Sequence, residues 1–332
     1  MFHSLYFVEG LSLFFPSFRY LWVLAGLFAI LTLGTSVRLA MLRGFADEKS
    51  QSHRNSVRTW WLLAVLLTIA LSFGTIGVAG LLAVAGLLSL QEYLRIIGWN
   101  QVGRPTAIVI FAIVPVYYSL LLLGYAESTR SIAPAAVLIV VGATRVSLGL
   151  VQDFIRTTAA LIWGVLLFVY CLSHAFLLLT LPGLPEPWVG HLGWFLYLVL
   201  LTETNDIAQA IIGRALGRNK LWPRVSPNKS LEGLLGAMIV TTLLAVLLAP
   251  WLTTFMQRSM STGIVLAVLS GLLISTFGFL GDLNKSGIKR DIGIKDSGKL
   301  LPGQGGMIDR VDSLTFAAPV FFFFVQAILD LR

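Results

Sequence analysis

The residues best suited to chemistry lie in one polar segment, residues 286–312, which reads SGIKRDIGIKDSGKLLPGQGGMIDRVD between two long apolar runs. It carries five basic residues, four aspartates and six glycines. Asp282 ends the preceding apolar run and Asp309 begins the next. One or two carboxylates, completed by substrate phosphates, are the usual protein ligands of Mg²⁺. The pattern predicts a Mg²⁺ site, with or without a second cation, beside a bound polyphosphate.

The basic residues and glycines of this segment favour the same interpretation. Glycine lets a backbone approach a ligand closely, so Gly305 and Gly306 could lie against a nucleotide. A loop that only touches anionic lipid headgroups is the alternative, but it would need neither four aspartates nor paired glycines. We therefore favour an anionic-substrate site. Its candidate cations are Lys285, Lys289, Arg290, Lys295, Lys299 and Arg310.

A second polar group lies in residues 201–220, LTETNDIAQAIIGRALGRNK. On a helix, Thr202, Asn205, Asp206 and Gln209 fall on one face, with Glu203 at its edge. A carboxylate at the membrane centre costs about 2.5–3.5 kcal/mol even on the lenient insertion scale. Such a stripe faces a wet cavity or a cation, or else forms interhelical hydrogen bonds. We favour a functional role for Asp206 and leave Glu203 open between the two.

A third group lies in residues 222–233, WPRVSPNKSLEG, where two prolines keep the backbone out of a helix. Ser226 and Asn228 offer short polar groups, and the Lys229 ammonium precedes Ser230, a predicted helix N-cap. Backbone N–H groups at a helix start, together with an ammonium, suit a phosphate. The leading glycines of a P-loop are missing, so that motif is excluded.

The elements that must position these groups are membrane helices. With 57% hydrophobic residues, 12% charged residues and a mean hydropathy of +0.85, the chain is predicted to be an all-α, polytopic transmembrane helix bundle. It forms one continuous membrane domain, with scaffold helices in 1–190 and a catalytic region in 191–332 that carries loops 214–230 and 283–311. The predicted spans are 18–37, 59–74, 76–92, 106–125, 132–151, 158–181, 189–212, 232–254, 262–281 and 312–330.

Several charged residues of the first half fall at or near predicted helix ends. Because Arg145 lies well inside the fifth span, we expect that span to be short, broken or re-entrant. These charged residues could be functional, but the favoured interpretation is that their side chains reach the membrane interface. They are Glu92, Arg95, Arg145, Asp153 and Arg156.

The charge distribution predicts an orientation. The net charge of +8 is concentrated in segments 38–58, 214–229 and 284–310, which the positive-inside rule places in the cytoplasm. This pattern argues against nucleic-acid binding and predicts an inner-membrane protein with its active site at the cytoplasmic face. The first 18 residues lack the basic region of a cleavable signal peptide.

Cysteine and histidine usage predicts no further site. Cys171 lies in an apolar run and is predicted to be a buried structural thiol without a disulfide partner. The four histidines lack the spacing of a zinc site.

The segment 286–312 resembles the signature of the phosphatidate cytidylyltransferase (CDP-diacylglycerol synthase) family, S-x-x-K-R-x4-K-D-x-G-x2-x-P-x-H-G-G-x2-D-R-x-D. The resemblance extends over about residues 200 to 315, since the stretches around Asp206, Lys229 and Asp282 follow in the family order. The matching residues are Ser286, Lys289, Arg290, Lys295, Asp296, Gly298, Pro302, Gly305, Gly306, Asp309, Arg310 and Asp312.

The resemblance implies transfer of CMP from CTP to phosphatidate, which gives CDP-diacylglycerol and pyrophosphate. It implies that Asp282 and Asp309 hold Mg²⁺ and that Asp206 assists. Lipids of the membrane supply the acceptor, and a homodimer is a family-level expectation. The implied catalytic residues are Asp282, Asp309, Lys289 and Arg310, and the implied substrate-binding residues are Asp206, Ser226, Asn228, Lys229, Ser286, Arg290, Lys295, Asp296, Gly305 and Gly306.

The sequence departs from the family signature at Gln304, which stands in place of the histidine of P-G-H-G-G. Because the attacking phosphate is already an anion, we expect this change to alter substrate preference rather than abolish the chemistry. Two rival functions stay open: a CTP-dependent lipid kinase, which would transfer the γ-phosphoryl group, and a non-catalytic lipid-binding or transport protein.

Overall fold

A computed structural model describes residues 19–41, 48–181, 187–257, 259–294, 297–298 and 300–330. Lys295 and Asp296, both predicted to bind substrate, lie outside this part of the chain, as do residues 1–18. The long helices are α1 (Tyr20–Met41), α2 (Glu48–Ser72), α3 (Gly74–Ile97), α4 (Arg104–Leu122), α5 (Ala126–Ser147), α6 (Phe154–Leu177), α7 (Leu192–Leu216), α8 (Leu231–Leu252), α9 (Met260–Asp291) and α10 (Ile308–Asp330).

The predicted all-helical membrane fold is confirmed. Among the described residues, nine helices, α2 to α10, are long and apolar enough to cross a membrane. The apolar part of α1, Tyr20–Ser36, is shorter than those nine spans. Large apolar side chains such as Ile108, Leu138 and Leu243 are exposed on the outer faces of the helices. An apolar outer surface of this kind suits a hydrocarbon environment, so the chain is a multi-pass membrane protein.

Helix α5 corrects one expectation. It runs unbroken through Ala126–Ser147, and Arg145 lies in its last turn. The Arg145 guanidinium is buried and donates hydrogen bonds to the backbone carbonyls of Gln101 (3.0 Å) and Leu150 (3.3 Å). The expected break is wrong because the helix begins at Ala126 and ends at Ser147, so Arg145 lies at its end, where carbonyls of the neighbouring turns accept from its guanidinium.

The residues predicted to lie at helix ends divide into two groups. Arg95, Asp153 and Arg156 are exposed, as expected for side chains that reach the interface. Glu92 and Arg145, in contrast, are buried, at 5% and 1% exposure, so the interfacial interpretation is wrong for both. Cys171 is a free thiol that is partly rather than fully buried, in the π-helical stretch Leu166–Cys171 of α6.

The four C-terminal helices form the part of the bundle that carries the candidate site. Helix α7 packs on α8, α8 on α9 and α9 on α10, while α3 and the end of α6 pack against α10. The Tyr197 hydroxyl ties three of these helices together, since it lies 2.7 Å from the Ser270 hydroxyl and 3.2 Å from the Ala245 carbonyl oxygen. Interhelical hydrogen bonds of this kind fix helix positions where the hydrophobic effect is weak.

The loop between α7 and α8 is closed by its own hydrogen bonds. The Ser230 hydroxyl accepts from the Gly233 N–H (3.2 Å), which confirms the predicted N-cap of α8. The Leu221 N–H donates to the Lys229 carbonyl oxygen (2.9 Å) and the Leu231 N–H to the Asn219 carbonyl oxygen (2.9 Å). The loop is therefore held where it places Lys229 against α9.

Replacing Arg145 by methionine should destabilise the bundle, because the carbonyls of Gln101 and Leu150 would lose their donors. A hydrogen bond from a charged group contributes about 1.5–3 kcal/mol. We expect Arg145→Met to lower the thermal unfolding midpoint in detergent, whereas Arg156→Met, at an exposed position of α6, should leave it unchanged. Equal midpoints for both variants would contradict a structural role for Arg145.

Candidate active site

The two aspartates predicted from the helix ends meet at a lysine. Asp282 and Lys285 lie one turn apart on α9, and the Lys285 ammonium is 2.8 Å from the Asp282 carboxylate. The same ammonium is 3.4 Å from the Asp309 carboxylate on α10 and also contacts the carboxylate of Asp312. Lys285 thus bridges three carboxylates from two helices.

Glycine makes this meeting of α9 and α10 possible. A Cβ at Gly281 would collide with the backbone carbonyl of Asp312. Only glycine leaves room for the two helix backbones to approach this closely. The side chains of Asp282 and Asp312 are therefore close enough to share one ammonium.

Two further lysines complete the arrangement. The Lys229 ammonium contacts the Asp282 carboxylate, donates to the Gln209 side-chain oxygen (2.7 Å) and lies 5.5 Å from the centre of the Phe279 ring. The Lys289 ammonium donates to the Asp309 carboxylate at 2.6 Å. We call these six residues, Asp282, Asp309, Asp312, Lys229, Lys285 and Lys289, the aspartate–lysine cluster.

The aspartate–lysine cluster balances three carboxylates with three ammonium groups. Its side chains are largely buried, with Asp312 at 5% exposure and Lys229, the most exposed, at 21%. Taking charges out of water is costly, and removing one partner of a buried pair destabilises a protein by about 3–5 kcal/mol. The six charges therefore depend on one another for their burial.

The polar stripe of α7 contacts the aspartate–lysine cluster through some of its residues and forms an interhelical hydrogen bond through another. The Asp206 carboxylate accepts from the Ser313 hydroxyl at 2.9 and 2.8 Å and lies within electrostatic range of Asp282 and Asp312. The Asn205 side-chain oxygen accepts instead from the hydroxyl of Ser275 on α9 at 2.5 Å. The stripe thus contains both an interhelical hydrogen bond and a carboxylate beside the charged cluster.

The loop before α10 is held by carboxylates. The Asp309 carboxylate accepts from the Gly306 N–H (3.1 Å) and the Ser297 hydroxyl (2.6 Å). The buried Glu92 carboxylate of α3 accepts from the N–H of Ile308, the first residue of α10 (3.0 Å). Negative charge is favourable at a helix N-terminus, where backbone N–H groups are unpaired. Two carboxylates thus fix the start of α10.

The paired glycines leave space for these carboxylates. Gly305 has a φ of +90°, a conformation that favours glycine. A Cβ at Gly306 would collide with the Glu92 carboxylate. The groups that lie against the backbone of these glycines are the carboxylates of Glu92 and Asp309. A nucleotide contact with Gly305 and Gly306 stays a prediction.

Gln304 ties the same loop to the N-terminal half of the chain. Its side-chain amide donates to the Ser56 carbonyl oxygen on α2 (2.9 Å). One turn on, the Thr59 hydroxyl donates to the Pro302 carbonyl oxygen (2.8 Å). Residues of α2 therefore position the loop that carries the glycines.

The predicted site residues fall into two groups. Asp206, Asp282, Asp309, Lys229 and Lys289 come together in or beside the cluster. The others are more peripheral: Arg290 is exposed and donates to the Val225 carbonyl oxygen (3.2 Å), Asn228 is exposed, Ser226 and Ser286 are half-buried, and Arg310 lies near the Glu203 carboxylate.

Sequence reasoning missed several participants. Lys285 was noted only as one of many cations, although its place one turn after Asp282 was a usable signal. Asp312 was noted only as part of the signature. Glu92 gave one signal, a carboxylate in an apolar helix, but its partner lies 216 residues away. Gln209 was predicted as part of the polar stripe, but its contact with Lys229 was not. Ser313 gave no local signal.

The carboxylates of the cluster are the type of ligand that Mg²⁺ prefers, with substrate phosphates completing the coordination shell. Within the described residues, no three acidic, histidine or cysteine side chains are arranged to hold a metal ion. Asp282 and Asp309 nevertheless both face the Lys285 ammonium, so two carboxylates converge on one point. Two carboxylates completed by phosphate oxygens are a usual Mg²⁺ arrangement. The ligand type therefore suits the predicted ion, but the point where these two carboxylates converge holds the Lys285 ammonium.

The fold and site define a polytopic helical membrane protein with a buried aspartate–lysine cluster between its last helices. The model of the cytidylyltransferase family matches residues 54–328, most of the chain. The chain therefore belongs to the cytidylyltransferase family.

Individual relatives agree with this assignment. The chain is 37% identical over 308 residues to the uncharacterized protein YnbB of Escherichia coli strain K12, a match that covers 91% of this chain and 97% of that protein. It is 40% identical over 129 residues to the phosphatidate cytidylyltransferases of Staphylococcus haemolyticus and Staphylococcus aureus. That second match covers 39% of this chain and about half, 47%, of each of those relatives.

Replacing Gly306 by alanine should displace the Glu92 carboxylate and loosen the start of α10. Overpacking costs about 1–3 kcal/mol, so Gly306→Ala should lower the thermal unfolding midpoint. Gly287→Ala is the matched control, since a Cβ there meets no atom within 4 Å. In the double variant Glu92→Asp/Gly306→Ala the shorter acid should restore part of the loss. Strict additivity of the two changes would show that these residues are not coupled.

Proposed function

We propose that the protein is a CTP:phosphatidate cytidylyltransferase, which transfers CMP from CTP to phosphatidate and forms CDP-diacylglycerol and pyrophosphate. The observation that carries this proposal is the convergence of Asp282 and Asp309 on one cationic point, within a segment that follows the family signature. The family match and the staphylococcal relatives named as phosphatidate cytidylyltransferases support it.

The aspartates would hold the metal. In the proposal Asp282 and Asp309 ligate Mg²⁺, and Asp206 lies near enough to orient its water shell. The ion would neutralise phosphate charge and stabilise the departing pyrophosphate. The hydrogen bonds from Ser297 to Asp309 and from Ser313 to Asp206 would keep both carboxylates oriented.

The lysines would bind the phosphates. Lys289 contacts a single carboxylate, and Lys229 contacts one carboxylate and one amide oxygen. Each of these ammonium groups can turn from its carboxylate to a phosphate oxygen, which releases the aspartate for the metal. Further proposed contacts to the triphosphate or lipid phosphate come from Arg290, Arg310, Lys295, Asp296, Ser226, Asn228, Ser286, Gly305 and Gly306.

The proposed reaction is a displacement at phosphorus. A phosphate oxygen of phosphatidate attacks the α-phosphorus of CTP, a new P–O bond forms, and the bond from the α-phosphorus to the bridging oxygen breaks, so that pyrophosphate leaves. Such transfers depend mainly on positioning and charge stabilisation. Because the attacking phosphate is already an anion, no general base has to remove a proton. The amide of Gln304 is compatible with this chemistry.

The membrane location suits the proposed substrates. Phosphatidate keeps its acyl chains among the lipids while its headgroup enters the site, and CTP arrives from water. By the positive-inside rule, the basic segments 214–230 and 283–311, which include the last residues of α7 and α9, would face the cytoplasm at the inner membrane. We further propose that the protein can form a homodimer, an expectation that comes from the family resemblance.

Removing one proposed metal ligand should abolish transfer. Asp282→Asn and Asp309→Asn should each lower CDP-diacylglycerol formation from CTP and phosphatidate by at least about 100-fold, because the loss falls on charge stabilisation in the transition state. Mass spectrometry of the lipid extract measures the product. The matched control, Asp291→Asn, changes an exposed aspartate at the end of α9 and should keep activity. Full activity in both site variants would overturn the metal assignment.

The role of Gln304 can be tested by its hydrogen bond. Gln304→His should retain turnover within a few-fold, since an imidazole N–H can also donate to the Ser56 carbonyl oxygen. Gln304→Leu has no donor, so the loop should loosen and turnover should fall by about ten-fold, the effect of one neutral hydrogen bond of about 1.4 kcal/mol. If the histidine variant were as impaired as the leucine variant, the hydrogen bond would not be what matters at this position.

A further inference from the structure

We propose that the Lys285 ammonium is a resident cation of the active site, fixed where the carboxylates of Asp282, Asp309 and Asp312 converge. It would supply permanently one of the positive charges that this site needs. Without nucleotide, the carboxylates would then require no divalent ion. The contribution of Lys285 to catalysis rests on the proposed function, whereas its place as a cation does not.

The contacts of the three cluster lysines set Lys285 apart. Its ammonium lies within ion-pair distance of three carboxylates, one on its own helix and two on α10. Lys229 and Lys289 each contact one. An ammonium has three N–H donors, so Lys285 can donate one to each aspartate. A triphosphate can draw away a lysine held by one carboxylate more readily than a lysine held by three.

The burial of Asp312 keeps the Lys285 ammonium in the cluster. The Asp312 carboxylate is the most buried of the three aspartates, and its ion pair is with Lys285. Asp206 lies within electrostatic range of Asp312, and its side chain accepts hydrogen bonds from the neutral Ser313 hydroxyl rather than from a cation. If Lys285 left, the buried Asp312 carboxylate would lose this ion pair, which is strongly unfavourable. Lys285 is therefore held in place by the cluster itself.

The ammonium also limits where a divalent ion can bind. With Lys285 in place, the facing oxygens of Asp282 and Asp312 are already engaged. The second Asp282 oxygen, which contacts Lys229, becomes free when Lys229 moves to a phosphate. A divalent ion would then bind together with the nucleotide rather than before it, and the site would need one divalent ion fewer than an all-aspartate site.

The test titrates Mn²⁺ alone, without CTP or phosphatidate, into the full-length protein in lipid nanodiscs and measures free Mn²⁺ by electron paramagnetic resonance. Lys285→Met should gain one Mn²⁺ site with an affinity at least about ten-fold above that of the wild type, because three carboxylates lose their shared charge. Lys220→Met, which removes an exposed lysine outside the cluster, should behave like the wild type. Unchanged Mn²⁺ affinity in folded Lys285→Met would overturn the proposal.

Two further measurements keep the proposal testable if Lys285→Met does not fold. In Lys285→Met/Asp312→Asn one positive and one negative charge are lost together, so the gain in Mn²⁺ affinity should largely disappear. In the wild type, the thermal unfolding midpoint should be the same in EDTA and in MgCl₂, since a ligand stabilises a protein only when it binds the folded state. A wild-type midpoint that rises by several degrees with Mg²⁺ would contradict a resident cation.

None of these readouts uses nucleotide or lipid substrate. If the protein fails to transfer CMP while Lys285→Met gains the Mn²⁺ site, the proposed function is wrong and the resident cation stands. If transfer of CMP is observed but Lys285→Met does not change Mn²⁺ binding, the proposed function stands and the resident cation is wrong.

Discussion

The structure depends on burying three carboxylates where the two apolar helices α9 and α10 pack together. Carboxylates in such a place are tolerated only when cations pair with them. Lys285 pairs with all three, while Lys229 brings the loop between α7 and α8 against α9. The same charges that suit a nucleotide and a metal therefore also hold the C-terminal helices together. Chemistry and folding share one set of residues here.

The N-terminal half takes part through a few long-range contacts. Glu92 of α3 fixes the start of α10, and Ser56 and Thr59 of α2 hold the loop that precedes it. Residues 1–190 were expected to act as scaffold. The Glu92 carboxylate, the Ser56 carbonyl and the Thr59 hydroxyl nevertheless form hydrogen bonds with residues of the segment 286–312. Changes in α2 or α3 can thus alter the site without touching a substrate.

Much of the fold could be predicted because an apolar run of about twenty residues has few alternatives to a membrane helix. The proximity of Asp282 and Asp309 could be predicted for a similar reason, since both border apolar runs, although α9 continues beyond Asp282 to Asp291. The three-way contact of Lys285 could not, because it depends on how closely α9 and α10 pack, which Gly281 decides. The predicted break of α5 at Arg145 was wrong because the guanidinium donates to backbone carbonyls, and such contacts carry no sequence signal.

The central claim is that the aspartate–lysine cluster supports transfer of a cytidylyl group to a membrane lipid. Its most direct test supplies the purified protein with phosphatidate, Mg²⁺ and CTP labelled with ³²P at either the α- or the γ-phosphorus, and measures radioactivity in the lipid extract. The proposed function predicts label in lipid from α-labelled CTP and none from γ-labelled CTP. Label from the γ-position alone would identify a lipid kinase, and label from neither would contradict catalysis on phosphatidate.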